Sequence, residues 1–322
     1  MTKLSIIIPL YNVENYVLQC IESVEDQDIP SSDYEVIVVN DGSTDSSFAI
    51  AEKCKKNYDN ITIISQDNQG LSAARNAGVD YAKGNYVWFI DSDDFIEKNC
   101  LGEIINELYR NDLDGLRLRH IRFIDGECFY DQRKILRGIV SGQDCLKDYK
   151  SYRESACLTI FKRSLLEEHH LRFIVGKIHE DTEFTPKAYY YMQRLVFLDR
   201  FVYYYRKNNN SLLYNPSLAV RRFYDLLDVA NAMLLFCNVN VDKACQPYYY
   251  TRIAFAVNSA FAIADSLENE QEYIKKRLYE KKTLYRSFIK SSELLLKIEG
   301  VLLVLFPSYS IKIYHLLNSI KW

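Results

Sequence analysis

Asp91-Ser92-Asp93-Asp94 places three carboxylates within four residues, directly after the apolar run Tyr86-Val87-Trp88-Phe89-Ile90. In extended backbone, residues i and i+2 point to one side, so Asp91 and Asp93 can face one crevice. Two carboxylates held together repel each other, and a divalent cation relieves that repulsion. Hard oxygen ligands suit Mg²⁺ or Mn²⁺, which keep several waters and accept phosphate oxygens. The plainer reading is a solvated acidic turn, or a helix cap at Asp93 or Asp94. A second acidic cluster, His179-Glu180-Asp181-Thr182-Glu183-Phe184, opens a stretch of helical character. A carboxylate there can take a proton from an attacking hydroxyl. Equally, negative charge is favourable at any helix N-terminus.

The elements that must position these groups alternate between two periods. Leu4 to Ile8, Tyr34 to Val39, Ile61 to Ile64 and Tyr86 to Ile90 are short, β-branched or aromatic apolar runs, as expected of buried parallel strands. Between them Tyr16, Val17, Cys20, Ile21 and Val24 recur at helical spacing. A second helix is expected over Asp45 to Lys56, with Ser43 or Thr44 as N-cap, and a small-residue helix over Ser72 to Lys83. Such alternation implies a parallel sheet covered by helices, with ligands beyond the carboxyl ends of the strands. Pro9-Leu10-Tyr11, Asn40-Asp41-Gly42 and Asp91-Ser92-Asp93-Asp94 all fall at such ends. Further strands are expected in Leu116 to Ile124 and in the aromatic-rich Arg194 to Arg206. A short helix and turn is expected at Ser164 to His170, and a longer helix from His179 to about Gln193. A boundary is expected near residue 215, dividing 1–215 from a helical region over 216–322.

The four ordered segments Ser5-Ile6-Ile7-Ile8-Pro9-Leu10-Tyr11-Asn12, Val39-Asn40-Asp41-Gly42-Ser43-Thr44-Asp45, Asn68-Gln69-Gly70-Leu71-Ser72-Ala73-Ala74-Arg75-Asn76 and Phe89-Ile90-Asp91-Ser92-Asp93-Asp94 together resemble glycosyltransferase family 2. These are inverting enzymes with a GT-A fold. The resemblance is close over roughly residues 1–110 and looser to about 215. It implies an α/β, Rossmann-like, mostly parallel central sheet flanked by helices, here with a C-terminal helical extension. It implies further that Pro9, Leu10 and Tyr11 line a base and ribose pocket and that Asp41 hydrogen-bonds the nucleobase. Arg75 would sit near the base or diphosphate, Asp91 would reach the ribose or the metal shell, and Ser92 would lie in the same donor site. Asp93, with Asp91, would bind Mn²⁺ or Mg²⁺. The Glu180-Asp181 pair resembles the family's acceptor-side motif, which makes Asp181 the expected base and Glu180 the second choice. One departure stands out: His179 occupies a position that is often Gly. Tyr203-Tyr204-Tyr205-Arg206 followed by Ser211 resembles an element near the donor mouth, where Arg206 would supply charge from a mobile polar loop. The plainer readings are that Asp41 caps a turn, that Arg75 pairs with a surface carboxylate, and that 203–206 is an aromatic edge strand.

Composition narrows the classes. The 322 residues carry a formal net charge of −3, with a sequence pI near 6.0, which gives no reason to expect a nucleic-acid partner. The eight Cys form no C-x-x-C pair and are expected to be reduced, buried thiols. The N-terminal apolar run is too short for a leader, and no stretch reaches the ~18 to 20 apolar residues of a spanning helix. A cytoplasmic chain, attached at most to the inner face of the membrane, is the expectation. Beyond 215 a basic, aromatic segment over Gln271 to Lys290 precedes apolar segments at Leu294 to Phe306 and Ile311 to Ile320. Attachment to an anionic lipid surface, or a helical cap or homodimer interface, both account for that pattern.

The implied activity is transfer of one hexose or N-acetylhexosamine from a UDP-sugar to an acceptor hydroxyl. A lipid-linked glycan or saccharide in bacterial surface polysaccharide (capsule) assembly is the expected acceptor. Processive relatives usually carry Gln-x-x-Arg-Trp, whereas here neither Trp88 nor Trp322 follows Arg, which favours single-sugar addition. A sugar nucleotidyltransferase would show an N-terminal Gly- and Lys-rich phosphate loop, which the sequence lacks. A non-catalytic nucleotide-sugar-binding module is the remaining alternative.

Overall fold

The computed structural model describes residues 2–148, 153–207, 212, 215–267 and 270–319. Two compact units emerge, one of Met1–Gly176 with Tyr191–Asn208, the other of Lys177–Tyr190 with Asn209–Trp322.

The first unit is built on a nine-stranded sheet: β1 Leu4–Leu10, β2 Tyr34–Asn40, β3 Ile61–Ser65, β4 Tyr86–Phe89, β5 Phe95–Ile96, β6 Gly115–Ile124, β7 Glu127–Tyr130, β8 Thr159–Lys162 and β9 Leu195–Arg206. Its order is β3-β2-β1-β4-β8-β6-β9-β5, with β7 pairing on β6. The four expected apolar runs form the parallel half, β3-β2-β1-β4. All seven residues of β1 are buried, as a strand covered on both faces requires. The remaining strands join antiparallel, except that β9 runs parallel to β6.

Around the sheet lie α1 Val17–Glu25, α2 Ser47–Asn57, α3 Leu71–Tyr81, α4 Leu101–Arg110, α5 Gly142–Lys147 and α6 Arg163–Glu168. Val17, Cys20, Ile21 and Val24 form the buried stripe of α1, as their spacing implies. α3 packs closely because its residues are small. A Cβ on Gly78 would lie 2.3 Å from Ile7 Cγ2, so only glycine permits this approach to β1. α4 is absent from the expectation above, although Leu101, Ile104, Ile105 and Leu108 are its buried face. The N-cap of α2 is Ser46 rather than Ser43 or Thr44. The backbone N–H groups of those two donate instead to Asn40 Oδ1 and Asn12 Oδ1, which ties the strand-end loops together. Asp45 Oδ1 accepts from Ser47 N in the first turn of α2.

The second unit is helical: α7 Glu180–Tyr191, α8 Ala219–Asn240, α9 Gln246–Asp265, α10 Gln271–Glu280, α11 Tyr285–Lys290, α12 Leu294–Leu305 and α13 Ser310–Asn318. α8 and α9 form its centre, burying Phe223, Leu227 and Met233 on one helix and Tyr249, Ile253 and Phe261 on the other. α11 and α12 cross tightly at Gly300, where a Cβ would meet Phe288 Cβ at 2.6 Å. No single described helix is long and apolar enough to cross a membrane. None of the eight Cys is in a disulfide; seven are buried and Cys128, on β7, is exposed.

Candidate functional site

Parallel pairing brings three strand ends to one edge of the first unit. Leu10 is in register with Asn40, and Ile7 with Phe89. Asp41 N donates to Leu10 O at 2.9 Å and Ile90 N to Ile7 O at 2.9 Å. The segments after β1, β2 and β4 therefore lie side by side, as the sheet rule anticipates. Pro9 and Leu10 are buried within the sheet, while Tyr11 is 47% exposed at its rim.

Asp41 is buried, and both its oxygens are engaged. Oδ1 accepts from Gln66 Nε2 at 2.7 Å and from Gln69 N at 2.9 Å, and Oδ2 accepts from Gly70 N at 2.8 Å. A carboxylate has about four lone-pair positions, so acceptor capacity remains after three such bonds. Asp41 thus fixes the 66–70 loop that leads into α3.

α3 delivers Arg75 from beneath the same edge. Its side chain is 1% exposed, yet Nη2 donates to Asp91 Oδ1 at 2.6 Å. Cys157 Sγ lies 3.6 Å from the same nitrogen, and the Phe173 ring centroid is 5.2 Å from the guanidinium carbon. Arginine is suited to this position because its charge persists under burial. The Asp91-Ser92-Asp93-Asp94 segment is a tight turn closed by Asp94 N donating to Asp91 O at 2.9 Å. Asp91 and Asp93 are half-buried, whereas Ser92 and Asp94 are buried.

Asp94 is the anchor of the turn. Tyr203 Oη donates to its Oδ2 at 2.6 Å, and Arg206 N to its Oδ1 at 2.7 Å. Burial raises the Asp94 carboxyl well above the usual range, and the negative charges of Asp93 and Asp91 raise it further. Burial, then the same three aspartates, pushes the Cys20 thiol upward as well. Arg206 is held by side chains around it. Nη2 donates to Gln19 Oε1 at 2.7 Å, and the guanidinium carbon lies 5.1 Å from the Tyr16 ring centroid, 5.2 Å from Phe95 and 5.8 Å from Phe123. The polar segment 208–211 that follows, Ser211 included, lies outside the described residues.

Among the described residues no three His, Cys, Asp or Glu side chains gather to hold a metal by themselves. The turn nevertheless fits a divalent cation shared with a phosphate ligand. Asp91 and Asp93 are both half-buried in the turn, and Mg²⁺ or Mn²⁺ commonly takes only one or two carboxylates beside phosphate oxygens.

The second acidic cluster belongs to the helical unit. Asp225 on α8 accepts from Ile178 N at 3.0 Å and from Lys177 Nζ at 3.0 Å, which fixes the approach to α7. His179 follows with φ 69°, the left-handed conformation that favours glycine. Burial, with Arg222 alongside, lowers its imidazole to about 4, so the ring is neutral at pH 7. Glu180 is buried and Asp181 half-buried in the first turn of α7. Glu183 is buried with Lys187 Nζ at 3.0 Å.

Residues 5–170 match the family described as Glycosyl transferase family 2. The chain belongs to glycosyltransferase family 2. Glycosyltransferase GlyA of Streptococcus pneumoniae is 34% identical over 224 residues, covering 65% of this chain and 31% of that protein. Poly(ribitol-phosphate) beta-glucosyltransferase of Bacillus spizizenii is 34% identical over 206 residues, covering 63% of this chain and 32% of its own. These matches thus cover about a third of each relative's length. The crystal structure of S. aureus TarS 1–349 in complex with UDP-GlcNAc aligns with a TM-score of 0.77 at 23% identity, covering 99% of this chain and 91% of that one. Mannosyltransferase PcManGT from Pyrobaculum calidifontis, in complex with GDP-Man and Mn²⁺, aligns with a TM-score of 0.55 at 16% identity, covering 99% and 86%. These likenesses establish the fold, which is the GT-A arrangement expected above.

In this family 2 chain the first unit brings Asp41, Arg75, Asp91, Ser92, Asp93 and the Arg206 backbone to one edge of one sheet. The sequence offered Asp94 only as a possible helix cap and Tyr203 only as part of the aromatic element near the donor mouth, and neither as the anchor of the turn. The only signal for Asp94 was its place as the fourth residue of the acidic run. Tyr203→Phe is expected to strip a buried carboxylate oxygen of its donor and cost about 2 kcal/mol, seen as a Tm lowered by a few degrees. Asp94→Asn should cost less, because burial already disfavours the ionised carboxyl and the amide still meets the tyrosine hydroxyl. Thermal unfolding of both variants checks this. A Tyr203→Phe chain melting with the parent would show that the bond contributes nothing to the turn.

Proposed function

We propose that this chain is an inverting glycosyltransferase that moves a single hexose or N-acetylhexosamine from a UDP-sugar to an acceptor hydroxyl. The acceptor is a lipid-linked glycan or related saccharide of bacterial surface polysaccharide assembly, reached at the inner face of the cytoplasmic membrane. The observation that carries the reading is the buried Arg75–Asp91 ion pair beside Asp93 at the carboxyl edge of the parallel strands. The ion pair compensates the buried guanidinium and holds Asp91 in one orientation at the rim. A nucleoside diphosphate would be drawn, with a cation, to the half-exposed Asp91 and Asp93, behind which Arg75 fixes Asp91. Family membership and the UDP-GlcNAc bound by TarS support the donor class.

The chain's residues divide the work as follows. The 66–70 loop, fixed by Asp41, and the Tyr11 rim bound the base and ribose. Arg75 holds Asp91 in one orientation, and Asp91 and Asp93 supply hard oxygen ligands. A divalent cation bound there supplies charge compensation for the diphosphate as the sugar bond breaks. Asp181 is the base that takes the acceptor proton, with Glu180 beside it in the same helical turn.

A panel of UDP- and GDP-sugars, read by thermal shift and by product analysis with Mn²⁺ present, tests the reading. A UDP-hexose or UDP-N-acetylhexosamine is expected to raise Tm only with the metal and to release UDP. Pyrophosphate release from a nucleoside triphosphate and a sugar phosphate would instead identify a nucleotidyltransferase. Donor binding without turnover on any acceptor would identify a binding module.

A further inference from the structure

Exposed apolar side chains are not spread evenly over this chain. Of the 23 large ones among the described residues, nine fall between positions 294 and 316. They concentrate on α12 and the turn into α13. α12 buries Leu296, Gly300 and Leu303 against its own unit. Its opposite side carries Leu294, Ile298, Val301 and Leu305, which are 72%, 45%, 47% and 63% exposed. Those positions follow helical spacing and form one outward stripe. A helix that is apolar all round is normally covered all round; this one is covered on one side. The stripe continues through Phe306 and Tyr309 to Leu316, beside an open cleft of about 310 Å³ with Lys312 at its edge.

The surrounding charge indicates what covers the stripe. Residues 281–319 contain six Lys or Arg against two Glu, and one of those, Glu299, is fully buried. The chain as a whole is net negative, whereas this stretch is net basic, with Lys281 paired to Asp228 and His315 to Asp265. Lys297 and Lys312 are both exposed within it. A second copy docked symmetrically would place the same basic rim against itself, which like-charge repulsion disfavours. A bilayer with anionic headgroups complements both features at once, taking the apolar stripe into its acyl boundary and the lysines at its surface. α12 by itself is too short to span, being about 18 Å long at 1.5 Å per residue against a hydrocarbon core of about 30 Å. The break to α13 turns the path through 117°.

We propose that the outward face of α12, the 306–309 turn and the exposed side of α13 form a docking surface for an anionic lipid bilayer. The helices lie in the headgroup boundary and do not cross it. The surface orients the chain towards acceptors presented at the membrane.

Flotation of the full chain with vesicles of phosphatidylglycerol and phosphatidylethanolamine, against vesicles of phosphatidylcholine alone, tests this. Strong binding to the anionic vesicles and weak binding to the neutral ones is expected. Each lysine neutralised should lower partitioning about fivefold, so Lys297→Gln with Lys312→Gln should lower it about 25-fold. Val301→Asp with Leu305→Asp should abolish it, and Val301→Ser with Leu305→Ser should weaken it with less risk to folding. Circular dichroism and the UDP thermal shift should be unchanged in the lysine variants. Equal binding to both vesicle types, or none to either, would overturn the proposal. So would a parent dimer, by light scattering, that the Val301 and Leu305 variants convert to monomer without any change in flotation. The readout needs no sugar transfer, so it stands or falls apart from the proposed activity.

Discussion

Asp181→Asn is expected to bind UDP with Mn²⁺ within about twofold of the parent chain and to lose sugar transfer by about 10²- to 10⁴-fold. The substitution keeps the size of the side chain and removes its ability to take a proton at neutral pH. Asp181 stands in the first turn of α7, half-buried, behind the His179 turn that Asp225 braces through Ile178 N. A carboxylate in that position also favours the helix electrostatically, by about 0.3 to 1 kcal/mol. The two roles separate cleanly in measurement. A carboxylate that only decorates the helix would show a slightly lower Tm and unchanged turnover. A base would show the same small change in Tm and nearly unchanged UDP affinity, with kcat falling and KM for the donor barely moved. Asp181→Asn turning over at the parent rate would remove Asp181 from the chemistry and leave Glu180→Gln as the next variant to measure.

What could be read from the residues alone depended on how local the physical cause was. The parallel half of the sheet was legible because each strand is a short apolar run whose burial on both faces leaves a plain pattern. The strand-end rule then placed three polar segments at one edge without coordinates, and the pairing of Leu10 with Asn40 and Ile7 with Phe89 brings them there. His179 was legible as a departure from glycine, and its φ of 69° supplies the reason. Partnerships across the chain were not legible. Asp41 finds its donors 25 to 29 positions away. Arg206 is held by rings at positions 16, 95 and 123, contributed by separate segments. Ser43 and Thr44 looked like N-caps by type, but their backbone groups were already committed to Asn40 and Asn12. The apolar character of 294–306 was plain in the sequence. Which side of α12 faces its own unit, and hence what the other side requires, depended on the packing at Gly300.

Asp93→Ala is expected to weaken Mn²⁺-dependent UDP binding by at least about tenfold, since loss even of an outer-shell partner typically reduces metal affinity by 10- to 100-fold. The argument rests on the division of labour within the turn. Asp91 already faces Arg75 at 2.6 Å, so part of its charge is spent in that ion pair. Asp94 is buried and engaged by Tyr203 and the Arg206 backbone, and it is further held from ionising by its neighbours. Asp93 is half-exposed between these two and lies at the accessible side of the turn. Removing it should therefore subtract a cation ligand while sparing the turn, which Asp94 continues to anchor. Titration calorimetry with UDP, with Mn²⁺ and with EDTA, separates the outcomes. The parent chain should lose affinity when the metal is chelated, and Asp93→Ala should start near that chelated value and change little. If Asp93→Ala retained the full manganese dependence of the parent, the cation would have to be held elsewhere, and the acidic turn would revert to a capped and solvated loop.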